Sequence, residues 1–321
     1  MVASPSMASP AEPHVVALDL GGSKLAAGRV GRDGRILQRV EHATDTSGQD
    51  ALVAQLEAAI AELAGDGAAG LGVGIPSLID QRTGVAGVSV NVPLAGLPLR
   101  ERLEKRFGIP VALENDANGA AVAEHRLGAG RGTRHMILLT IGTGIGGGLI
   151  LNGELYRGAI GAAAELGHVT IALDGIPCQG FCPGLGHLEV LASGTAAERL
   201  AAELAAARPE SALAREPELD GRALVRLAEE GDADALEVVE TIGRRLGAGV
   251  AGYVNVFNPE VIVIGGGFAE AGELLLEPVR AVVAEQALPT ARDGVRIVPA
   301  ELGPDAGLVG AGLVAFGALD G

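Results

Sequence analysis

Two histidines, His168 and His187, flank the only two cysteines of the chain, Cys178 and Cys182. Two imidazoles and two thiols make the donor set of a closed tetrahedral zinc site. Two carboxylates, Glu165 and Glu189, bracket the same segment. A metal-stiffened loop here would hold acids that grip a polar substrate. The plainer reading is two small buried thiols and two histidines satisfied as ordinary polar side chains. The C-x3-C-x4-H spacing with an upstream histidine favours the metal.

Three glycine turns follow apolar, strand-like runs. The first is Asp19-Leu-Gly21-Gly22-Ser23-Lys24. Backbone N–H groups in such a turn come close to a phosphate, with a hydroxyl and a cation beside them. An acid at the strand end can hold a hydrated Mg²⁺. An ordinary hairpin turn is the competing account. The second runs from Thr140 through Gly142, Thr143 and Gly144 to Gly148. Glycine weakens a strand, so a close backbone approach to a ligand explains it better. No Lys-Ser/Thr pair follows, so it is not a Walker A loop. The third is Gly265-Gly266-Gly267 after Val261–Ile264. Three such turns together favour a nucleotide in a cleft. Between a strand and a helix lies Glu114-Asn115-Asp116. A carboxylate there can take a proton from a hydroxyl during phosphoryl transfer. Alternatively, Asn115 or Asp116 caps the following helix.

Composition narrows the function classes. The chain has 321 residues, a formal net charge of -16 and 2% aromatic residues. There is no Lys/Arg block to attract phosphate backbone and little to stack bases, so a nucleic-acid partner is set aside. A sugar would be held by hydrogen bonds rather than by ring stacking. No apolar run reaches the roughly 18–20 residues that span a membrane. Glycine, at 50 residues, is about twice its usual share of roughly 7%. Two cysteines make no disulfide framework, which fits a cytoplasmic protein. Residues 1–13 carry neither a basic nor an apolar signal region and read as a disordered tail.

These groups must be positioned by two similar blocks. Val15–Leu20, Leu25–Val30 and Ile36–Val40 read as a three-strand meander. Helical spacing follows over Asp50–Leu63, then a buried strand at Leu71–Ile75 and a helix at Leu99–Phe107. A strand at Val111–Leu113 and a helix at Asn118–Leu127 complete the block. Met136–Ile141, a glycine loop over Gly142–Gly148 and Leu149–Leu151 open a second meander, with the hairpin signal Asn152-Gly153. Helices at Thr195–Ala207, Arg222–Glu230 and Ala233–Phe257 follow. Next come a strand at Val261–Ile264, a helix to Ala287, a strand at Val295–Val298 and a final helix at Gly307–Leu319. The repeated strand–turn–strand opening predicts an internal duplication, with glycine turns facing a shared cleft.

In this order the motifs resemble the ROK family (repressors, uncharacterised reading frames and sugar kinases). The resemblance covers about residues 14–320. It rests on DLGGSK at 19–24, GVGIPS at 72–77, ENDAN at 114–118, IGTGIGGG at 141–148, ELGH at 165–168, and the cysteine segment ending at Glu189 and Ser193-Gly194. It implies an α/β, two-domain actin-like ATPase (ribonuclease H-like) fold with the active site in the interdomain cleft. The small N-terminal domain would be 14–133 plus 306–321. The larger C-terminal domain would be 134–305, with a zinc-binding segment at 168–187. The implied activity is ATP- and Mg²⁺-dependent phosphorylation of a hexose, glucose first. An N-acetylhexosamine, mannose or fructose kinase, or a sugar-sensing regulator, is the alternative. Only eighteen residues precede Asp19, too few for a regulator's helix-turn-helix.

The same resemblance makes Asp116 the general base and puts Asn91, Asn115, Glu165, His168 and Glu189 on the sugar. Asp19, the loop 21–24, Thr140 and the loop 142–147 would clamp phosphate, from ATP or polyphosphate, and Gly265–Gly267 would face the adenosine. His168 would offer one ring nitrogen to zinc and the other to the sugar, with Cys178, Cys182 and His187 completing the site. A homodimer or homotetramer is implied as well. The chain departs from the family pattern at Ser23, where threonine is usual. It departs again where Gly180 takes the first cysteine's place and where His187 replaces the third cysteine.

Overall fold

A computed structural model describes residues 13–65, 67–89, 91–180 and 182–320. The tail expected over 1–13 lies outside them except for Pro13. Among the described residues the strands are β1 His14–Leu20, β2 Lys24–Gly31, β3 Ile36–Ala43, β4 Ala68–Ile75, β5 Ile79–Asp80, β6 Val85–Ala86, β7 Val111–Asn115, β8 Met136–Ile141, β9 Ile145–Leu151, β10 Glu154–Leu155, β11 Val261–Gly265 and β12 Arg296–Pro299. The helices are α1 Gln49–Ala64, α2 Leu99–Phe107, α3 Asp116–Leu127, α4 Leu188–Ala192, α5 Gly194–Ala207, α6 Ala212–Arg215, α7 Gly221–Glu229, α8 Ala233–Phe257, α9 Glu273–Gln286, α10 Pro289–Arg292 and α11 Ala306–Asp320.

The duplication expected from the sequence is present. One sheet has the order β3-β2-β1-β4-β7 and the other β10-β9-β8-β11-β12. In each, an antiparallel meander is extended by two parallel strands. Asp19 is the penultimate residue of β1, and Thr140 holds the same place in β8. Ligands in parallel α/β sheets bind beyond the carboxyl ends of the strands. Asp19, Asn115, Thr140 and Gly265 all stand at such ends.

Alternation along the strands directs the packing. In β1, Val16, Leu18 and Leu20 join Leu52, Leu56 and Ile60 of α1 and Leu103 of α2. Val15 and Ala17 face the other way, onto Leu308 and Ala311 of α11. In β8, Ile137, Leu139 and Ile141 enter the core built with α8 and α9, while Met136 and Leu138 meet Ala120 and Ala121 of α3. Thus α3 lies against the second sheet and against α11, which itself covers the first sheet.

Two features differ from the sequence reading. The glycine loop expected over 142–148 ends at Gly144, because the chain re-enters β9 at Ile145. The missing Cβ atoms of Gly146 and Gly148 admit Ala117 and Ala121 of α3, so these glycines serve helix packing. The helix expected up to Ala287 is two pieces, a 3-10 turn at Gly267–Ala271 and then α9, separated by Gly272 at φ 56°.

The α3–α11 crossing needs a bare backbone. A Cβ on Gly310 would run into the Gly119 carbonyl. Gly310→Ala is therefore expected to destabilise the protein by about 1–3 kcal/mol despite alanine's better helix propensity; a urea unfolding midpoint equal to or above that of the parent chain would contradict this.

Candidate functional site

A cleft of about 490 Å³ opens at the strand ends. Its walls include Asn91, Asn115, Asp116, Glu165, His168 and Glu189, together with Thr140, Gly142, Thr143, Gly144 and Gly266. A smaller cavity of about 230 Å³ adjoins it through Asp116, Thr140 and Gly266 and contains Asp19 and Gly265. The cleft thus brings together every residue expected on the sugar and most of those expected on phosphate. Gly21, Gly22, Ser23, Lys24 and Gly267 line neither space. Gly22 packs beside Asn91 at the cleft edge. Lys24 turns outward to an ion pair with Glu41 at 2.7 Å.

Asn115 and Asp116 sit at the turn from β7 into α3. The Asn115 side chain caps the helix, its Oδ1 accepting from the Asn118 N–H at 3.1 Å. Capping and cleft placement coexist, because its amide nitrogen is not used by the cap. Asp116 Oδ1 accepts from the Ala117 N–H at 2.8 Å. Burial raises the Asp116 carboxyl above its ordinary range, and that hydrogen bond only partly opposes it. Asp19 is raised from 3.8 to about 7, first by burial and then by the Asp116 charge, with Lys24 opposing.

Glu165 and His168 stand on a 3-10 turn, Leu166–His168. The phenol of Tyr253 in α8 donates to the Leu166 carbonyl and anchors that turn. Ala164, just before Glu165, is held at φ 68°, a left-handed conformation costing a non-glycine residue about 1–2 kcal/mol. Such strain gathers where a side chain must be aimed. Desolvation raises Glu165, with Glu189 and Asp116 adding to it and His168 opposing.

Glu189 joins the two walls. Its Oε2 accepts from the Ile145 N–H at 2.9 Å, and only a glycine at 144 lets the carboxylate come so near the turn. The Gly142 carbonyl accepts from the Gly194 N–H at 2.8 Å, so the turn is also tied to the start of α5. Gly266, at φ 89°, crosses over Ile141 where a Cβ would strike backbone. The requirement for glycine at 144 and 266 is therefore met by protein neighbours within the cleft wall.

The four expected metal donors converge. His168 Nδ1 lies 3.3 Å from His187 Nδ1 and 3.5 Å from Cys178 Sγ, and Cys182 Sγ lies 3.5 Å from His187 Nδ1. All four donor atoms lie within 4.8 Å of one another. A tetrahedral zinc with ordinary bond lengths has N–N edges of about 3.3 Å and N–S edges of about 3.5 Å. These three distances match those edges, so the donor set fits zinc. Burial, then the Cys182 thiol, push Cys178 up to about 11; a cation would reverse that, since metals bind the thiolate. His168 keeps Nε2 on the cleft side, 3.8 Å from Glu165 Oε2.

The sequence reading did not single out Glu114, which is buried at the end of β7 and paired with Arg157 at 2.7 Å. Nor did it single out Glu124, which is fully buried on α3. Glu124 accepts from the N–H groups of Ala129, Glu301 and Leu302 at 2.8–3.0 Å. It so fixes the chain entering α11 beside Asp19. A charged residue inside an apolar stretch was the available signal for both.

Comparison with known proteins places this geometry. The profile described as "ROK family" matches residues 15–317. The chain belongs to the ROK family. A glucokinase of Thermotoga maritima is 38% identical over 304 residues, covering 92% of this chain and 95% of its own. The ROK glucokinase of Streptomyces griseus, solved with glucose and AMPPNP, superposes with a TM-score of 0.85 at 35% identity, covering 95% of this chain and 99% of that one. A ROK family transcriptional regulator, a homolog of the E. coli MLC protein, gives 0.87 at 28% identity and covers 95% of this chain and 78% of its own. The ROK fold seen here is the two-domain actin-like ATPase fold. Among the described residues no helix is long and apolar enough to cross a membrane.

The raised Asp19 carboxyl has a signed consequence. Its folded value, about 7, lies above the unfolded 3.8. Its contribution is therefore fully present below pH 4 and is lost as pH rises through 7, worth on the order of 4 kcal/mol. Asp19→Asn should flatten the stability profile over that window in difference denaturation curves; a parallel offset from pH 4 to pH 8 would be inconsistent with a buried, protonated Asp19.

Proposed function

We propose that the chain is a cytoplasmic, ATP-dependent hexose kinase of the glucokinase type, transferring the γ-phosphoryl group to the 6-hydroxyl of glucose. One observation carries this: a single cleft joins a half-buried carboxylate, Asp116, to a polar sugar-sized wall on one side and a glycine turn on the other. High identity to a named glucokinase over nearly all of both chains supports the same reading.

In this mechanism Asn91, Asn115, Glu165, His168 and Glu189 hold the sugar hydroxyls. Asp116 has Oδ1 engaged by the Ala117 N–H, so Oδ2 faces the acceptor. Its raised pKa makes it a stronger base than an exposed carboxylate. The 6-hydroxyl gives its proton to Asp116 as its oxygen bonds the γ-phosphorus. The bond to the β-phosphate oxygen breaks and ADP leaves. Backbone N–H groups of 142–144 meet the charge on the transferring group. Closure of 14–133 plus 306–321 onto 134–305 would keep water from competing.

Mg²⁺ fits beside Asp19, since two desolvated, mutually repelling carboxylates are what a divalent cation relieves; when bound it would neutralise phosphate charge. Zinc would be held by His168, Cys178, Cys182 and His187. Bound there, it would fix the His168 ring and leave Nε2 to the sugar. Homodimers or homotetramers are part of the same proposal, testable by light scattering.

Asp116→Ala is expected to lower kcat by about 10²–10⁴-fold while calorimetry still detects glucose binding; turnover near that of the parent chain would remove Asp116 from the role of base. His187→Ala should lower zinc content by plasma emission spectrometry and weaken glucose binding. A parent protein without zinc would discard the metal assignment. An ADP-release assay over a panel of sugars, with ATP and polyphosphate in turn, separates a glucokinase from its hexosamine, mannose and fructose counterparts. No ADP release with any sugar would leave the sensing regulator.

A further inference from the structure

Glu114 is 2% exposed and touches neither cavity described above. Both of its oxygens are committed. Oε1 accepts from the Asn115 N–H and from Asn118 Nδ2, each at 3.0 Å. Oε2 accepts from Arg157 Nε at 2.7 Å. Among the described residues Arg157 is the one cation paired with this carboxylate. A buried carboxylate stripped of its partner cation is strongly unfavourable, so Glu114 depends on Arg157.

The partners come from opposite halves of the molecule. Glu114 is the penultimate residue of β7 in the first sheet. Arg157 follows β10 of the second. From Arg157 the chain runs to Glu165, and the Arg157 carbonyl accepts from the Ala163 N–H at 3.1 Å. The ion pair therefore ties the turn that carries Asn115 and Asp116 to the segment that delivers Glu165 and His168. Neither partner meets a reacting atom, and Arg157 faces a separate cavity of about 580 Å³.

We infer that the Glu114–Arg157 ion pair positions the strand-to-helix turn of Asp116 against the sugar held by the second half of the molecule. Arg157 is a positioning residue, and its effect falls on the alignment of base and hydroxyl. The inference rests on the kinase reading above. Sugar grip from Glu165, His168 and Glu189 persists without it. Alignment within an ångström of the reactive geometry does not, and such misplacement costs roughly 10²-fold in rate.

The test compares Arg157→Ala, Arg157→Lys and Glu114→Gln with the parent chain, using glucose and ATP and following melting by circular dichroism. Arg157→Ala should lose roughly 10²-fold in kcat with the KM for glucose within about threefold. Arg157→Lys, which restores the charge, should recover at least roughly a tenth of parental kcat, an expectation drawn from the same alignment argument. Parental kcat in folded Arg157→Ala overturns the inference. So does a joint change of KM, kcat and melting temperature, which marks an ordinary structural pair. Lysine no better than alanine overturns it too. Should Arg157→Ala fail to fold, Glu114→Gln decides: reduced kcat at parental KM supports the inference and parental kcat rejects it. A parent chain that phosphorylates no hexose fails the kinase reading instead, which is seen before any variant is made.

Discussion

Two carboxylates withdrawn from water, Asp19 and Asp116, set the terms for the rest of the molecule. They stand at the carboxyl ends of β1 and β7, and each raises the cost of ionising in that place. A fold does not gain stability from such a pair. It keeps them there through neighbours that cannot easily move: the α3–α11 crossing, the chain entering α11 held by Glu124, and the turn held by Glu114. The price in stability is offset by two aliphatic cores, one under each sheet. What results is a pair of raised carboxylates, Asp116 lining the cleft and Asp19 the smaller cavity that adjoins it.

The second constraint is mechanical. Glu189 lines the sugar wall and also binds the Ile145 N–H of the glycine turn. A ligand that engages this carboxylate therefore bears on the turn that would hold phosphate. The four-donor cluster adjoins the same wall, with His168 Nδ1 turned toward His187 and Cys178. In the proposed mechanism sugar grip and phosphate grip would therefore be coupled through Glu189.

Much of this was legible in the sequence. The strands and long helices follow apolar periodicity, and the duplicated meander was visible because Asp19 and Thr140 end similar runs before glycines. That His168, Cys178, Cys182 and His187 would converge was anticipated from their spacing. Other features were not, and for identifiable reasons. Gly146 and Gly148 read as a ligand loop because a glycine opening space for a helix looks the same as one opening space for phosphate. Lys24 read as a phosphate contact because its partner, Glu41, lies on a neighbouring strand. Glu114 and Arg157 are 43 residues apart, and nothing local signals that one neutralises the other.

The regulator comparison shows why fold alone leaves the activity undecided. A transcriptional regulator superposes on this chain as well as a glucokinase does. Phosphoryl transfer adds two demands that sugar sensing lacks: a base of raised pKa within reach of the hydroxyl, and a second, anion-accepting wall held in register with it. In the proposed mechanism Asp116, its carboxyl raised by desolvation, would meet the first. The turn at 142–144, braced by Glu189 and by Gly194 at the start of α5, would meet the second. Catalysis in the proposed mechanism therefore depends on how rigidly these two walls are linked, and the links are hydrogen bonds and one ion pair rather than the topology of the sheets.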